Sequence, residues 1–101
     1  MTKLELVKFG KSPNPEKKIR AVFRNKKTGR TKAVDAGQAG ADDYTKTHDH
    51  EQRARYLERH GRGREDWSKP DSPGALSKHL LWGESTSLLT NLAAFRRRFN
   101  L

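Results

Sequence analysis

Six cations within a short span offer the most direct chemistry in this sequence: Arg20, Arg24, Lys26, Lys27, Arg30 and Lys32. Unperturbed lysine and arginine stay protonated at neutral pH. What such side chains do well is displace the counterions condensed on a polyphosphate, which ties affinity to salt concentration. Their value depends on whether the chain arranges them together, and the flanking sequence predicts that it does. Lys27-Thr28-Gly29 separates two strand-like runs, Lys18 to Lys26 and Arg30 to Ala36. A glycine there suits the left-handed position of a three-residue hairpin loop, a type I turn followed by a G1 bulge.

That loop pairs Lys26 with Arg30, Arg24 with Lys32 and Val22 with Val34. Arg20, Val22, Arg24, Arg30, Lys32 and Val34 then share one face. Ile19, Ala21, Phe23, Thr31 and Ala33 share the other. The first face is basic and the second apolar, so the expected site is a two-stranded ribbon able to follow a groove or a phosphate backbone. The competing view is a solvated sheet face whose cations discourage edge-to-edge pairing. Phe23 points away from the basic face, which favours backbone contact over base stacking.

Other residues of reactive type are less well placed. His48 and His50 stand two apart, about 200° from each other around a helix, so they cannot share a metal. No metalloprotease histidine pair or other zinc spacing occurs, and no metal is expected. Asp42, Asp43, Asp49 and Glu51 cluster near a helix start, where acids are favoured in any case. A two-metal nuclease instead needs carboxylates converging from separate elements. Arg96, Arg97 and Arg98 suit the last turn of a helix through the helix dipole, and they diverge around it. His60 precedes a helix stop, and His79 sits in an apolar helix as a packed residue. No nucleophile elbow, P-loop or dinucleotide fingerprint is present, so the chain reads as a non-enzyme without cofactor.

The elements that must position the hairpin follow from pattern. Leu4 to Phe9, closed by Gly10, is a strand whose alternation slips between Leu6 and Val7, as burial on both faces or a bulge would make it. Residues 11–16, with Pro13 and Pro15, form a loop. Residues 37–46 are a flexible connection carrying Gly37 and Gly40. A helix is expected from about Thr47 to His60, capped by Thr47 or Asp49, stopped by Gly61, with Ala54, Leu57 and Tyr56 inward. Gly61 to Arg64 is a loop. Ser72-Pro73 starts a helix that runs through Leu76, Leu80, Leu81 and Trp82 to Gly83. Ser85 or Thr86 caps the last helix, whose Leu88, Leu92, Phe95 and Phe99 form the clearest helical stripe. Strands precede helices throughout. The expectation is one α+β domain over 1–101, with a basic sheet part (1–36), a loop (37–46) and a helical part (47–101).

Composition narrows the class. Hydrophobic residues make up 32% and charged residues 34% of 101, so one modest core is possible. There is no cysteine, which excludes disulfides and thiolate metal sites. No apolar run approaches the roughly 20 residues of a membrane span, and Met1 to Glu5 begins no signal peptide. The net charge is +10, and residues 1–34 alone carry +9, against −1 for 35–70 and +2 for 71–101. The electrostatic footprint belongs to the first third.

Several strings resemble a known group. They are Gly37-Gln38-Ala39-Gly40-Ala41-Asp42-Asp43-Tyr44-Thr45, Arg55-Tyr56-Leu57-Glu58-Arg59-His60, Glu65-Asp66-Trp67, Pro73-Gly74-Ala75-Leu76-Ser77, Leu81-Trp82-Gly83 and Phe95-Arg96-Arg97-Arg98-Phe99. Together with the basic hairpin, these resemble a family of small uncharacterised basic proteins encoded by large DNA viruses of algae and protists. The resemblance implies a viral or virus-derived context, in the virion or the host cytoplasm or nucleus and not secreted, and it implies no activity. The expected function is that of an accessory protein binding the phosphate backbone of DNA or RNA. The alternative is a virion structural or protein-interaction module whose positive face meets an acidic viral or host protein.

Overall fold

A computed structural model describes residues 3–61 and 67–101. Arg62 to Asp66, including most of the expected Gly61–Arg64 loop, lie outside the described residues. The architecture is α+β: a three-stranded antiparallel sheet followed by helices. Strands β1 (Leu4–Lys11), β2 (Lys17–Asn25) and β3 (Thr31–Gln38) lie in sequence order, with β2 central.

The slip in β1 is a bulge. Leu6 pairs with Phe23 and Lys8 with Val22, so Val7 is an extra residue and is exposed. It keeps Leu4 and Leu6 on the inner face before the bulge and Phe9 on it afterwards. The β1–β2 turn is organised by polar side chains. Ser12 Oγ accepts from the Asn14 amide at 3.1 Å and Asn14 Oδ1 from the Glu16 amide at 2.9 Å.

The β2–β3 hairpin differs from the expected register by one residue. Its loop has four residues, Lys26 to Gly29, closed by Asn25 N–H donating to Arg30 O at 2.8 Å and Gly29 N–H to Asn25 O at 2.7 Å. The cause is the Asn25 side chain, whose Oδ1 accepts the amides of Lys27 (2.8 Å) and Thr28 (3.1 Å) and starts the turn one position early. Gly29 sits at φ 76°, as the turn requires. Arg24 therefore faces Thr31, Val22 faces Ala33, Ala21 faces Val34 and Ile19 faces Ala36. A one-residue shift turns all of β3 over. Val34 and Ala36 join Ile19, Ala21 and Phe23 in the core, while Thr31 and Ala33, expected inside, are exposed.

The expected helix over 47–60 is found over His50–His60, with Asp49 as its cap, and a short helix precedes it where the end of the 37–46 loop was expected. Helix α1 (Tyr44–Thr47) is capped by Asp43, and α2 (His50–His60) by Asp49, whose carboxylate accepts from the amides of Glu51 and Gln52. His48, left-handed at φ 56°, breaks the chain between them. Tyr56 is buried and Leu57 packs on the core, as expected, but Ala54 is exposed. Arg53 takes the inward position that Ala54 was expected to fill.

Ser72 caps the next helix by accepting from Ala75 N–H at 3.2 Å, with Pro73 at its first position, as expected. This helix is α3 over Pro73–Leu76 and widens into a π-helical turn over Ser77–Leu81. Helix α4 spans Leu88–Phe99. Its cap is Ser87, which accepts from Thr90 N–H at 3.3 Å, and not Ser85 or Thr86. The Ser85 hydroxyl instead accepts from the Ser87 amide. Buried Asn91 holds the preceding loop, donating to Leu80 O and Ser85 O and accepting from Ser85 N–H.

The apolar side of the sheet meets these helices in one core. Phe23, Phe95, Leu76 and Leu80 are its largest fully buried members, and Leu88, Leu92 and Phe99 pack at its margin. Among the described residues, no helix is long and apolar enough to cross a membrane.

Candidate polyanion interface

The register decides where the six hairpin cations lie, and they do not share a face. Arg20 and Arg24 stand on the outer face of β2, opposite Asp35 and Thr31. Lys32 belongs to the other side, opposite Phe23, and Arg30 closes the loop just before β3, its carbonyl accepting from Asn25 N–H. Lys26 and Lys27 are in the loop.

Three of the six are neutralised by acids of the fold. Arg20 makes a two-point contact with Asp35, Nε to Oδ1 at 2.7 Å and Nη2 to Oδ2 at 2.9 Å. Arg24 Nε donates to Glu5 Oε1 at 2.9 Å across β1 and β2. Lys32 Nζ lies 3.4 Å from Asp71 Oδ2. Lys18, not among the six, pairs with buried Asp43 at 2.5 Å. The Arg20 hydrogen bonds, reinforced by the Ser12 hydroxyl at 3.0 Å, hold the Asp35 carboxyl below its ordinary range against the opposing effect of desolvation.

The other three, Lys26, Lys27 and Arg30, are exposed at the hairpin tip. Lys3 joins them, because Lys26 N–H donates to Lys3 O at 2.7 Å. Among the described residues no carboxylate lies within ion-pair distance of any of these four. The basic surface is thus the end of the sheet, where the start of β1 and the β2–β3 loop meet. Sequence reasoning missed Lys3. The signal was available: pairing β1 antiparallel to β2 brings the start of β1 beside that loop.

The remaining candidates fall out as follows. Asp43 and Asp49 are helix caps, Asp43 also pairs with Lys18, and Asp42 lies 3.6 Å from Lys46, so the acids around α1 serve the local backbone and two lysines without converging. His50 meets the Tyr44 hydroxyl at 3.0 Å, whereas His48 occupies the break between α1 and α2. His79 is packed, as expected. Its Nε2 lies 3.0 Å from Trp67 O and its ring meets Phe95 and Phe99. Burial pushes its pKa down, and the nearby charges of Lys78 and Arg98 act in the same direction. The arginine triplet diverges. Arg96 Nη1 donates to Leu6 O at 3.3 Å, tying α4 to β1, while Arg97 and Arg98 are exposed and turn toward a cavity among the helices.

The chain belongs to the DUF5754 family, a family of unknown function, whose model matches residues 7–60, more than half of the chain. No curated protein and no solved structure matches it. The matched segment holds the hairpin, α1 and α2; α3, the π turn and α4 lie beyond it.

Proposed function

We propose that the protein binds the phosphate backbone of nucleic acid without catalysing a reaction, and that it does so with the end of its sheet. The observation that carries this reading is the group Lys3, Lys26, Lys27 and Arg30, exposed together and without an ion pair among the described residues, in a chain of net charge +10. Unpaired cations exchange their counterions for phosphates at little cost. Arg20, Arg24 and Lys32 would first have to give up a carboxylate. The loop Lys26-Lys27-Thr28-Gly29 offers no aromatic ring, so the contact is to backbone and not to stacked bases. A DNA-virus context, suggested by the sequence strings above, would supply such a partner in quantity.

The test is a titration of duplex DNA at two salt concentrations. A Lys26→Gln/Lys27→Gln/Arg30→Gln variant should lose most of the affinity. The magnitude of its slope of log K against log salt should fall by about 0.9 for each phosphate contact removed. An Arg24→Gln/Lys32→Gln variant, which removes two paired cations, should lose much less. Equal losses would reduce the effect to net charge. No binding by the parent at low salt would overturn the reading in favour of an acidic protein partner.

A further inference from the structure

The helical half holds a second gathering of cations that the charge distribution along the chain conceals. Arg53 from α2, Lys78 from the π turn, and Arg97 and Arg98 from α4 line one cavity of about 390 Å³. Among the described residues, Glu84 is its one lining carboxylate. Among the described residues, none of the four cations has a carboxylate within ion-pair distance.

Arg53, Lys78 and Arg98 are held in place by uncharged contacts. Arg53 Nε donates to the carbonyls of Trp82 (3.0 Å) and Gly83 (2.9 Å), and its guanidinium lies 5.6 Å from the Tyr44 ring centre. Its two terminal nitrogens have no protein partner among the described residues and remain available as donors. Lys78 Nζ stands 5.4 Å from the Trp67 ring centre and the Arg98 guanidinium 5.9 Å from that of Phe99. The wall between them is fixed by Asn91, whose amide holds the loop at Leu80 and Ser85. Gly83 is packed so closely there that a Cβ would come within 2.6 Å of the Asn91 side chain. Lys78 and His79 also belong to a π-helical turn, a rare backbone form that is frequent at functional sites.

Four like charges held around a cavity repel one another. Burial, together with Arg98 and Arg53, lowers the Lys78 pKa, and Glu84 opposes this only in part. An anion seated among them removes that repulsion, and planar guanidinium donors suit the oxygens of a phosphate. We propose that this cavity binds a phosphoryl group, borne either by a nucleic acid or by a small molecule, at a site separate from the sheet end. Arg53, Lys78 and Arg98 donate to its oxygens, and Arg97 adds charge at the rim.

Amide chemical shifts of the full chain during titration with inorganic phosphate, at ionic strength held constant with sodium chloride, test this. Saturable shifts should appear at residues 78–85 and at Arg97 and Arg98. The His79 pKa should rise, because the anion offsets Lys78 and Arg98 beside it. A Lys78→Gln/Arg98→Gln variant should bind at least about tenfold more weakly, the loss of one charge-assisted hydrogen bond or more. Arg97→Gln, at an exposed position whose side chain makes no hydrogen bond or ion pair among the described residues, should weaken binding measurably even if the double variant is poorly folded. The hairpin-tip variant should show the same saturable shifts at residues 78–85, Arg97 and Arg98, so this site can succeed or fail independently of the sheet end. A short oligonucleotide with a 5′-phosphate and the same strand with a 5′-hydroxyl identify the source. Saturation by both means the backbone, by the first alone a terminal phosphate, and by inorganic phosphate alone a small molecule. Non-saturating shifts spread over all lysines, or unchanged binding by the double and Arg97→Gln variants, would overturn the proposal.

Discussion

Arg20 grips Asp35 across the β2–β3 pair with two hydrogen bonds, and the Ser12 hydroxyl meets the same carboxylate at 3.0 Å. An arginine whose type and position suggested a phosphate ligand instead ties the outer face of the sheet to the β1–β2 turn. The register made this possible, since it sets Asp35 directly opposite Arg20.

The pair makes stability depend on pH at the acid end. Asp35 is held below its ordinary pKa by Arg20 first and by Ser12 in addition. Its contribution is therefore complete above the unfolded carboxylate pKa of about 3.9. It is lost as pH falls through the lower folded value. Urea midpoints measured from neutral pH downward should drop in that window for the parent and drop less for Asp35→Asn, which has no carboxylate to titrate. Parallel curves for the two proteins would show that the pair is not linked to folding.

Gly37 and Gly29 separate two costs that glycine avoids. Both have positive φ, 80° and 76°. A Cβ on Gly29 meets nothing within 4 Å, so Gly29→Ala pays for backbone conformation alone, about 1–2 kcal/mol. A Cβ on Gly37 lies 2.6 Å from Leu81 Cδ1 and 3.2 Å from Lys18 Cβ, so the side chains around it must shift. Gly37→Ala should cost a further 1–3 kcal/mol or so through overpacking. Equal losses in a denaturant titration would mean that the π turn yields to the sheet.

The cap of α4 is equally specific. Ser87→Ala should cost about 1 kcal/mol, because its hydroxyl accepts from Thr90 N–H. Thr86→Ala should stay within about 0.5 kcal/mol. A silent Ser87 with a costly Thr86 would move the start of the helix back by one residue.

What the sequence revealed and what it hid divide along physical lines. Strand and helix identity depend on local composition, so three strands, the β1 bulge, the Ser72-Pro73 helix start and the Phe95 stripe could all be read from the chain. Register depended on one side chain, Asn25, capturing two amides, which hydrophobic alternation does not record. Ser85, Thr86 and Ser87 are all competent caps, and the choice was made by Asn91, which takes the Ser85 backbone for the loop. His48 in the left-handed region and the π turn leave no compositional trace. The cavity was invisible for another reason: Arg53, Lys78 and Arg98 are brought together only by helix packing, and residues 35–70 and 71–101 have small net charges when summed along the chain.

His79 supplies a second pH dependence, separate from that of Asp35. Burial lowers its pKa most, the Trp67 carbonyl opposes this, and Lys78 and Arg98 lower it further. The folded protein therefore binds a proton at His79 less readily than the unfolded chain does. Above the unfolded histidine pKa of about 6.5 both states are neutral and the contribution is complete. As pH falls below that value the unfolded chain takes up a proton first, and stability declines until the folded value is passed. Urea midpoints should thus begin to fall in mildly acidic buffer, well before carboxylates titrate. His79→Phe keeps an aromatic ring against Phe95 and Phe99 but cannot be protonated, so its midpoints should be flat across this window. It also forfeits the contact with Trp67 O, which lowers them by a constant amount. Saturating phosphate should shrink the parent's slope, since an anion beside Lys78 and Arg98 raises the folded pKa toward the unfolded one. A parent that is flat between neutral pH and the carboxylate range would show that His79 titrates alike in both states, and that the cations around it exert no net hold on its proton.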